Sequence, residues 1–497
     1  MRDWLVVDTT LPGWPSLGEL AQMVASKQVS PQELVDLSYA RIARLNPHLN
    51  AFVATCEEGA REQARSAERR ILSGAARPLE GVPVAVKDNT AVAQMPLTNG
   101  SRSSGRAPVA YDAEVVGRLR RAGAIVVGKT NLPEFGAVPV TESGLLGTCR
   151  NPWDVELTCG GSSGGSAVAV AAGMVPVAQG NDGGGSLRIP ASCCGVLGLK
   201  PSRGRISLAP APDGAGLVST GFLTTRTCDQ ALLLDLVSGP SLGDQFPTPA
   251  PRRPFSAALA GAAPRLRIAW TVEPPVETAI APGCAAAVEA AADMLAGLGH
   301  EVVPIDPKWT RDWLAEEFRQ VWTAGILATV LGLPPSRSGA EFLEPHIRAM
   351  AQLAAQRSAG DLLNSQARLQ LYAREVAQLW QRWDVVMTPA LAAPGLRVGE
   401  LFQGVADDPL APLERADRFS PYTPLFNVTG QPAASLPLHW ADGFPIGVQL
   451  ATRPHREDHL LRLSHQLEQL TSWPARRPVA PAGLQSPRLA ALQRSSG

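Results

Sequence analysis

Between Cys159 and Gly204 the chain carries serines and glycines at a spacing suited to nucleophilic chemistry. Gly160-Gly161-Ser162-Ser163-Gly164-Gly165-Ser166 is followed by a small-residue stretch, then by Asp182-Gly183-Gly184-Gly185-Ser186-Leu187-Arg188-Ile189-Pro190. A serine hydroxyl attacks a carbonyl only when a neighbouring group takes its proton. Successive backbone N–H groups can hold the resulting oxyanion, and consecutive glycines let the backbone approach it without a Cβ in the way. A base is also required. The apolar run Val82–Val86 leads into Lys87-Asp88-Asn89. Burial disfavours the charged form of a lysine and leaves a neutral amine that can accept a proton. Without the serines, Lys87 would read as a strand-end lysine reaching solvent. Gly160–Ser166 could in isolation be a flexible linker, but it feeds directly into the apolar segment Ala167–Gly173 and not into a polar spacer.

The elements that must position these residues alternate. Ser30, Pro31 and Glu33 make a capping box with proline at the first helical position, and Leu34, Leu37, Ile42 and Leu45 continue as a helical stripe. Val82–Val86 and Ala124–Val127 read as short buried strands, with a charged helix at Glu114–Arg121 before the second. Helix–strand alternation through residue 240 indicates an α/β fold. Phe246–Pro254 is proline-rich and reads as a linker or surface excursion. Further strands are expected at Arg265–Trp270, Val385–Met387 and Gly447–Leu450. Helices are expected at Cys284–Leu298, through most of 308–380 and at His459–Leu470. Residues 476–497 are Pro, Arg, Ala and Ser-rich and are expected to be a flexible tail on a single domain spanning 1–475.

Bulk composition excludes several classes. Lys plus Arg equals Asp plus Glu, at 45 each among 497 residues, so no basic excess calls for nucleic acid. The most apolar stretch, Ala167–Ala178, is too short to span a bilayer. The start Met1-Arg2-Asp3-Trp4 lacks a basic stretch followed by an apolar run, which reads against a secretory signal and for a cytoplasmic location. Seven scattered cysteines without a CxxC spacing read as reduced thiols, not as a disulfide framework or zinc site. His455 and His459 sit four apart among Arg456, Glu457 and Asp458 and read as a solvated helix start.

The serine–glycine block resembles the amidase signature family. The resemblance rests on Gly160–Ser166, on Asp182–Pro190 and on Gly198-Leu199-Lys200-Pro201. It extends to Gly81–Asp88, Gly128-Lys129-Thr130-Asn131, Asn151-Pro152-Trp153, Phe426–Pro432 and Gly447-Val448-Gln449, and so covers roughly 18–475. It implies a large mixed central β-sheet covered by helices on both faces, with a catalytic core at about 75–240 and a helical substrate-side region at about 280–380. It implies Ser186 as nucleophile, Ser162 as a bridging serine after a cis peptide bond, and Lys87 as terminal base. The oxyanion donors would be N–H groups from Gly183, Gly184 and Gly185 through Ser186. Ser163 would help hold Lys87, while Asp182 and Arg188 brace the loop. No metal or other cofactor is implied. The expected partner is a small uncharged amide, cyclic or oligomeric in type, with aryl amides and carbamates as alternatives. Neither nucleic acid nor membrane is expected, and a homodimer remains open.

Two other motif readings fail on context. Gly123–Thr130 fits the phosphate-loop pattern, but its interior is itself the expected strand. Gly160-Gly161-Ser162-Ser163-Gly164 fits the esterase elbow, which needs an apolar strand before it and Asp and His partners; Pro152–Thr158 is not such a strand. Ile189 stands where the tRNA-linked amidotransferase branch of the family has Gln, which argues against that role. Gly183-Gly184 replaces a bulkier pair found in cyclic-amide members, implying room for a different acyl group. Trp313, Trp322, Ile326 and Leu327 suggest an apolar pocket.

Overall fold

A computed structural model describes residues 13–212, 215–260 and 264–478. The first twelve residues, and the expected tail from 479 onward, lie outside the described residues. The chain forms β1 (Phe52–Thr55), β2 (Pro83–Lys87), β3 (Ile125–Thr130) and a short ribbon of β4 (Glu142–Ser143) and β5 (Gly147–Thr148). It continues with β6 (Val177–Asp182), β7 (Leu197–Lys200), β8 (Ser219–Thr224), β9 (Arg267–Trp270), β10 (Glu301–Pro304), β11 (Val385–Pro389), β12 (Ala433–Ala441) and β13 (Phe444–Thr452). Outside the ribbon, eleven strands make one mixed sheet in the order β1-β3-β2-β6-β8-β7-β12-β13-β11-β9-β10. Parallel pairs lie towards its flanks (β3-β2-β6 and β11-β9-β10), and the centre is antiparallel. The sheet is therefore the large mixed one expected, set among helices.

Strand β2 shows how one short segment serves two faces. Successive side chains of a strand point to opposite sides. Val82, Val84 and Val86 enter one apolar cluster with Val115, Val116 and Leu119. Ala85 enters another, with Ala167–Ala172. Lys87 shares the parity of Ala85, so it points towards the small-residue helix Gly164–Ala171, which begins directly after Ser162 and Ser163. The helix can lie close because its residues are Gly, Ala, Ser and Val, all buried. Thr130, opposite Lys87 across the β2–β3 ladder, bonds Ser166 of that helix at 2.6 Å.

The expected helices over 308–380 are Leu314–Leu331, Pro345–Ala355 and Ala359–Ala377. Among the described residues no helix is long and apolar enough to cross a membrane.

Candidate active site

Lys87 is fully buried at the end of β2. Its Nζ lies 2.8 Å from Ser162 Oγ and donates to Asn181 Oδ1 at 2.7 Å. Asn181 is itself held by its amide, which donates to Asn89 Oδ1 at 2.9 Å. Burial pushes the Lys87 ammonium well below the ordinary lysine value, against the opposing pull of the Asp182 charge. The Gly161–Ser162 peptide is cis. Ser163 N–H donates to Ser186 O at 3.1 Å, which draws the two serine segments together. Ser162 and Ser186 line one cavity of about 470 Å³, with Asn181 and Gly183. Ser186 is 8 % exposed and Ser162 1 %, so the outer serine is the one a ligand reaches first.

The glycine loop is held from below by one carboxylate. Asp182, at the end of β6, accepts from Gly185 N–H at 2.8 Å, from Leu187 N–H at 3.1 Å, and from Arg188 Nε and Nη2 at 2.9 and 2.8 Å. Burial would raise this carboxyl. The Arg188 charge and hydrogen bonds, Lys200 and Asn427 outweigh it and bring the pKa down to about 2. Arg188 continues the network to Gln449 Oε1 at 2.7 Å, Asn427 Oδ1 at 2.7 Å and Thr423 O at 2.8 Å. Thr423 Oγ1 donates to Gly184 O at 2.7 Å. Asp182 and Arg188 thus bond the loop, strand β13 and each other. A guanidinium and a carboxylate so fully engaged have no hydrogen-bonding capacity to spare for a substrate.

Several expectations change. Gly185 N–H is committed to Asp182, which leaves the N–H groups of Gly183, Gly184 and Ser186 as the candidate oxyanion donors. Ser163 does not hold Lys87: its hydroxyl donates to Asn181 O at 3.0 Å, and the side chain touching the amine is Asn181. Glycines at 183 and 184 do not open extra space. A Cβ on Gly183 would come within 2.9 Å of the Trp322 ring, and one on Gly184 within 3.3 Å of Phe318. The space beside the loop is taken up by the aromatic pair Phe318 and Trp322 facing it. Of the four apolar residues singled out for a pocket, Trp322 alone lines the cavity; Trp313 packs edge-on against Tyr372, and Ile326 lies in a separate core cluster. Gly123–Thr130 holds no phosphate-type loop, since Ile125–Thr130 is β3. Asn89, Asn427 and Gln449 gained no individual role from sequence. The last two sit in motifs recorded above, which was the available signal. No group of three His, Cys, Asp or Glu among the described residues is placed to hold a metal ion.

Residues 33–461 match the Amidase family model, and the chain belongs to that family. It is 36% identical over 488 residues to the 6-aminohexanoate-cyclic-dimer hydrolase of Pseudomonas sp. strain NK87, covering 94% of this chain and 96% of that one. A structure of 6-aminohexanoate cyclic dimer hydrolase complexed with substrate superposes with TM-score 0.88 at 34% identity, over 94% of this chain and 98% of that chain. A bacterial aryl acylamidase of the amidase signature family superposes with TM-score 0.83 at 27% identity, over 94% and 99%. The protein is thus a hydrolase of non-peptide carbon–nitrogen amide bonds.

Proposed function

We propose that the chain cleaves uncharged amides through a Ser186–Ser162–Lys87 relay and an acyl-enzyme. The observation that carries this is the buried Lys87 amine, 2.8 Å from Ser162 Oγ with no carboxylate in contact with it. A neutral amine there accepts the Ser162 proton as Ser162 accepts that of Ser186. The Ser186 Oγ–carbon bond forms and the carbonyl becomes an oxyanion facing the N–H groups of Gly183, Gly184 and Ser186. On collapse the C–N bond breaks, and Ser162 delivers a proton to the departing nitrogen while Lys87 returns the one it holds. Amines leave poorly unless protonated, so this delivery suits the relay to amides. Water then adds to the acyl carbon, gives its proton to the relay, and releases the acid with Ser186 restored. The Ser162–Ser186 link closes when substrate fills the cavity, as catalytic hydrogen bonds often tighten only in the complex.

Similarity to the cyclic-dimer hydrolase supports a cyclic or oligomeric amide as substrate. A second reading, an aryl amide, is supported by the aryl acylamidase likeness and by a cavity walled by Phe135, Trp322 and aliphatic side chains. A fluorophosphonate should label Ser186, and Ser186→Ala should abolish both labelling and turnover. Labelling elsewhere with turnover intact would refute the assignment.

A further inference from the structure

Ser186 lies where two cavities meet. The larger, about 470 Å³, also takes in Ser162 and Asn181, and no Asp, Glu, Lys or Arg lines it. The smaller, about 60 Å³, reaches Ser186 alongside Gly184 and Ile189 and does not include Ser162. Trp322 lines both. Its indole N–H donates to Ala137 O at 3.0 Å, and its ring stacks on Phe318 with centroids 5.8 Å apart and planes 16° from parallel. On a third side the ring lies so near Gly183 that an added Cβ there would come within 2.9 Å of it, and the ring stands as a partition.

We propose that Trp322 divides the site into an amine side and an acyl side, so that the preferred substrate joins a short acyl group to a bulky, uncharged amine portion. This rests on the reading above, in which Ser186 attacks and Ser162 delivers the proton. The departing nitrogen must come within hydrogen-bond reach of Ser162 Oγ. Ser162 opens on the larger cavity, so the amine portion lies there. No charged side chain is present to offset a buried ammonium on that side, which selects for neutral groups. With the carbonyl carbon at Ser186, the acyl substituent points into the smaller cavity. About 10–15 Å³ of such space is what one water needs, so the acyl side takes a substituent of a few heavy atoms. That cavity is also lined by Arg319 and Asp417, an ion pair at 3.4 Å. A longer apolar chain would meet these charges and desolvate them without offering a hydrogen bond. The division favours an aryl amide over a cyclic one, whose ring would have to pass the partition.

Two substrate series test this, read as kcat/KM with Ser186→Ala as control. In anilides lengthened from acetyl to octanoyl, a fall of tenfold or more is expected. In acetamides enlarged from phenyl to naphthyl on nitrogen, no fall is expected. Trp322→Ala should recover octanoyl relative to acetyl anilide by at least tenfold. A wild-type profile that is flat or rises with acyl length, or that rejects the naphthyl amide, overturns the division whether or not the Trp322 variant folds. Turnover that survives in Ser186→Ala would instead overturn the underlying reading. Ser186-dependent turnover in the reverse order overturns the division alone.

Discussion

Lys87 and Lys129 stand near the ends of neighbouring parallel strands, both fully buried, yet their surroundings differ in kind. The β2–β3 ladder slips by one residue: Val84 faces Val126, but Ala85 faces Gly128. Such a bulge shifts every later side chain to the other face. Lys129 therefore sits opposite Val86 and on its side of the sheet, while Lys87 sits opposite Thr130 and faces the serines. On its side Lys129 meets Asp88 at 3.0 Å and Pro96 O at 3.1 Å. Asp88 is the residue directly after Lys87, where the strand has ended, and its carboxylate bonds Lys129 and Thr98 and not that amine. Burial lowers both lysines, but the Asp88 charge and hydrogen bond oppose it at Lys129, whereas Lys87 has only Ser162 and Asn181 in contact. In the proposed relay, burial without a contacting carboxylate is what would leave the Lys87 amine neutral and able to accept a proton.

The largest effect should come from removing the unpaired amine. Lys87→Ala is expected to lower amide kcat/KM by about 10²–10⁴, the range of a lost general base. Activated esters should lose less, because a good leaving group needs less proton delivery. Lys87→Arg should not rescue, since guanidinium stays charged. Near-normal amide turnover by Lys87→Arg would break the comparison at once. The next effect comes from giving Lys87 the partner that Lys129 has. Asn181→Asp places a carboxylate in contact with the amine and should hold it protonated. Activity at neutral pH should fall steeply and recover as pH is raised. Wild-type activity should instead rise with pH through an ionisation well below the ordinary lysine value. An unmoved acid limb in Asn181→Asp would mean that Lys87 does not set it.

The reciprocal change acts on stability. Lys129→Met leaves Asp88 buried without its cation, and breaking such a pair is strongly destabilising, by ~3–5 kcal/mol. Urea unfolding should show this loss, while the pH dependence of the remaining activity keeps the wild-type form. A shifted acid limb in Lys129→Met would show that the two lysines are coupled and not independent.

Much of this was legible in the sequence because the chemistry is local and the folding rules are periodic. The serines, Lys87 and the glycine loop were readable from type and spacing, and the family resemblance supplied their expected order. Strand β2 is legible as a buried apolar run, though the expected Val82–Val86 lies one residue early at each end, because Lys87 breaks the hydropathy while remaining in the ladder. Strands β6, β7 and β8 carry no clear strand pattern in the sequence. Gly180, Gly198 and Gly221 interrupt their apolar pattern, and they do so for tertiary reasons. A Cβ at Gly180 would come within 2.7 Å of Ser163 Oγ, and one at Gly198 within 2.5 Å of Leu187 O. β12 was hidden by Pro437, which stands beside a register shift. The bulge that separates the two lysines, the commitment of Gly185 N–H, and the approach of Trp322 to Gly183 all depend on contacts across the fold, and no local pattern records them.

The smallest effect, and the one that isolates the burial of Lys87 from its proposed role as base, is a slope of stability with pH. The folded pKa of Lys87 lies below its unfolded value near ~10.4. Between those two pH values the unfolded chain holds the proton and the folded chain does not. The unfolded state then binds more protons, so this group makes stability rise with pH across the window and contributes no slope outside it. Lys87→Met removes the term. Relative to wild type, the variant should gain stability at and below the folded pKa, and the gain should shrink steadily as pH approaches ~10.4. Loss of the contacts with Ser162 and Asn181 offsets part of the gain by an amount that does not follow the lysine titration, so the readout is the convergence and not the absolute difference. Parallel stability curves for wild type and Lys87→Met across that range would show that the amine titrates as an ordinary solvated lysine, and the contrast with Lys129 would lose its basis.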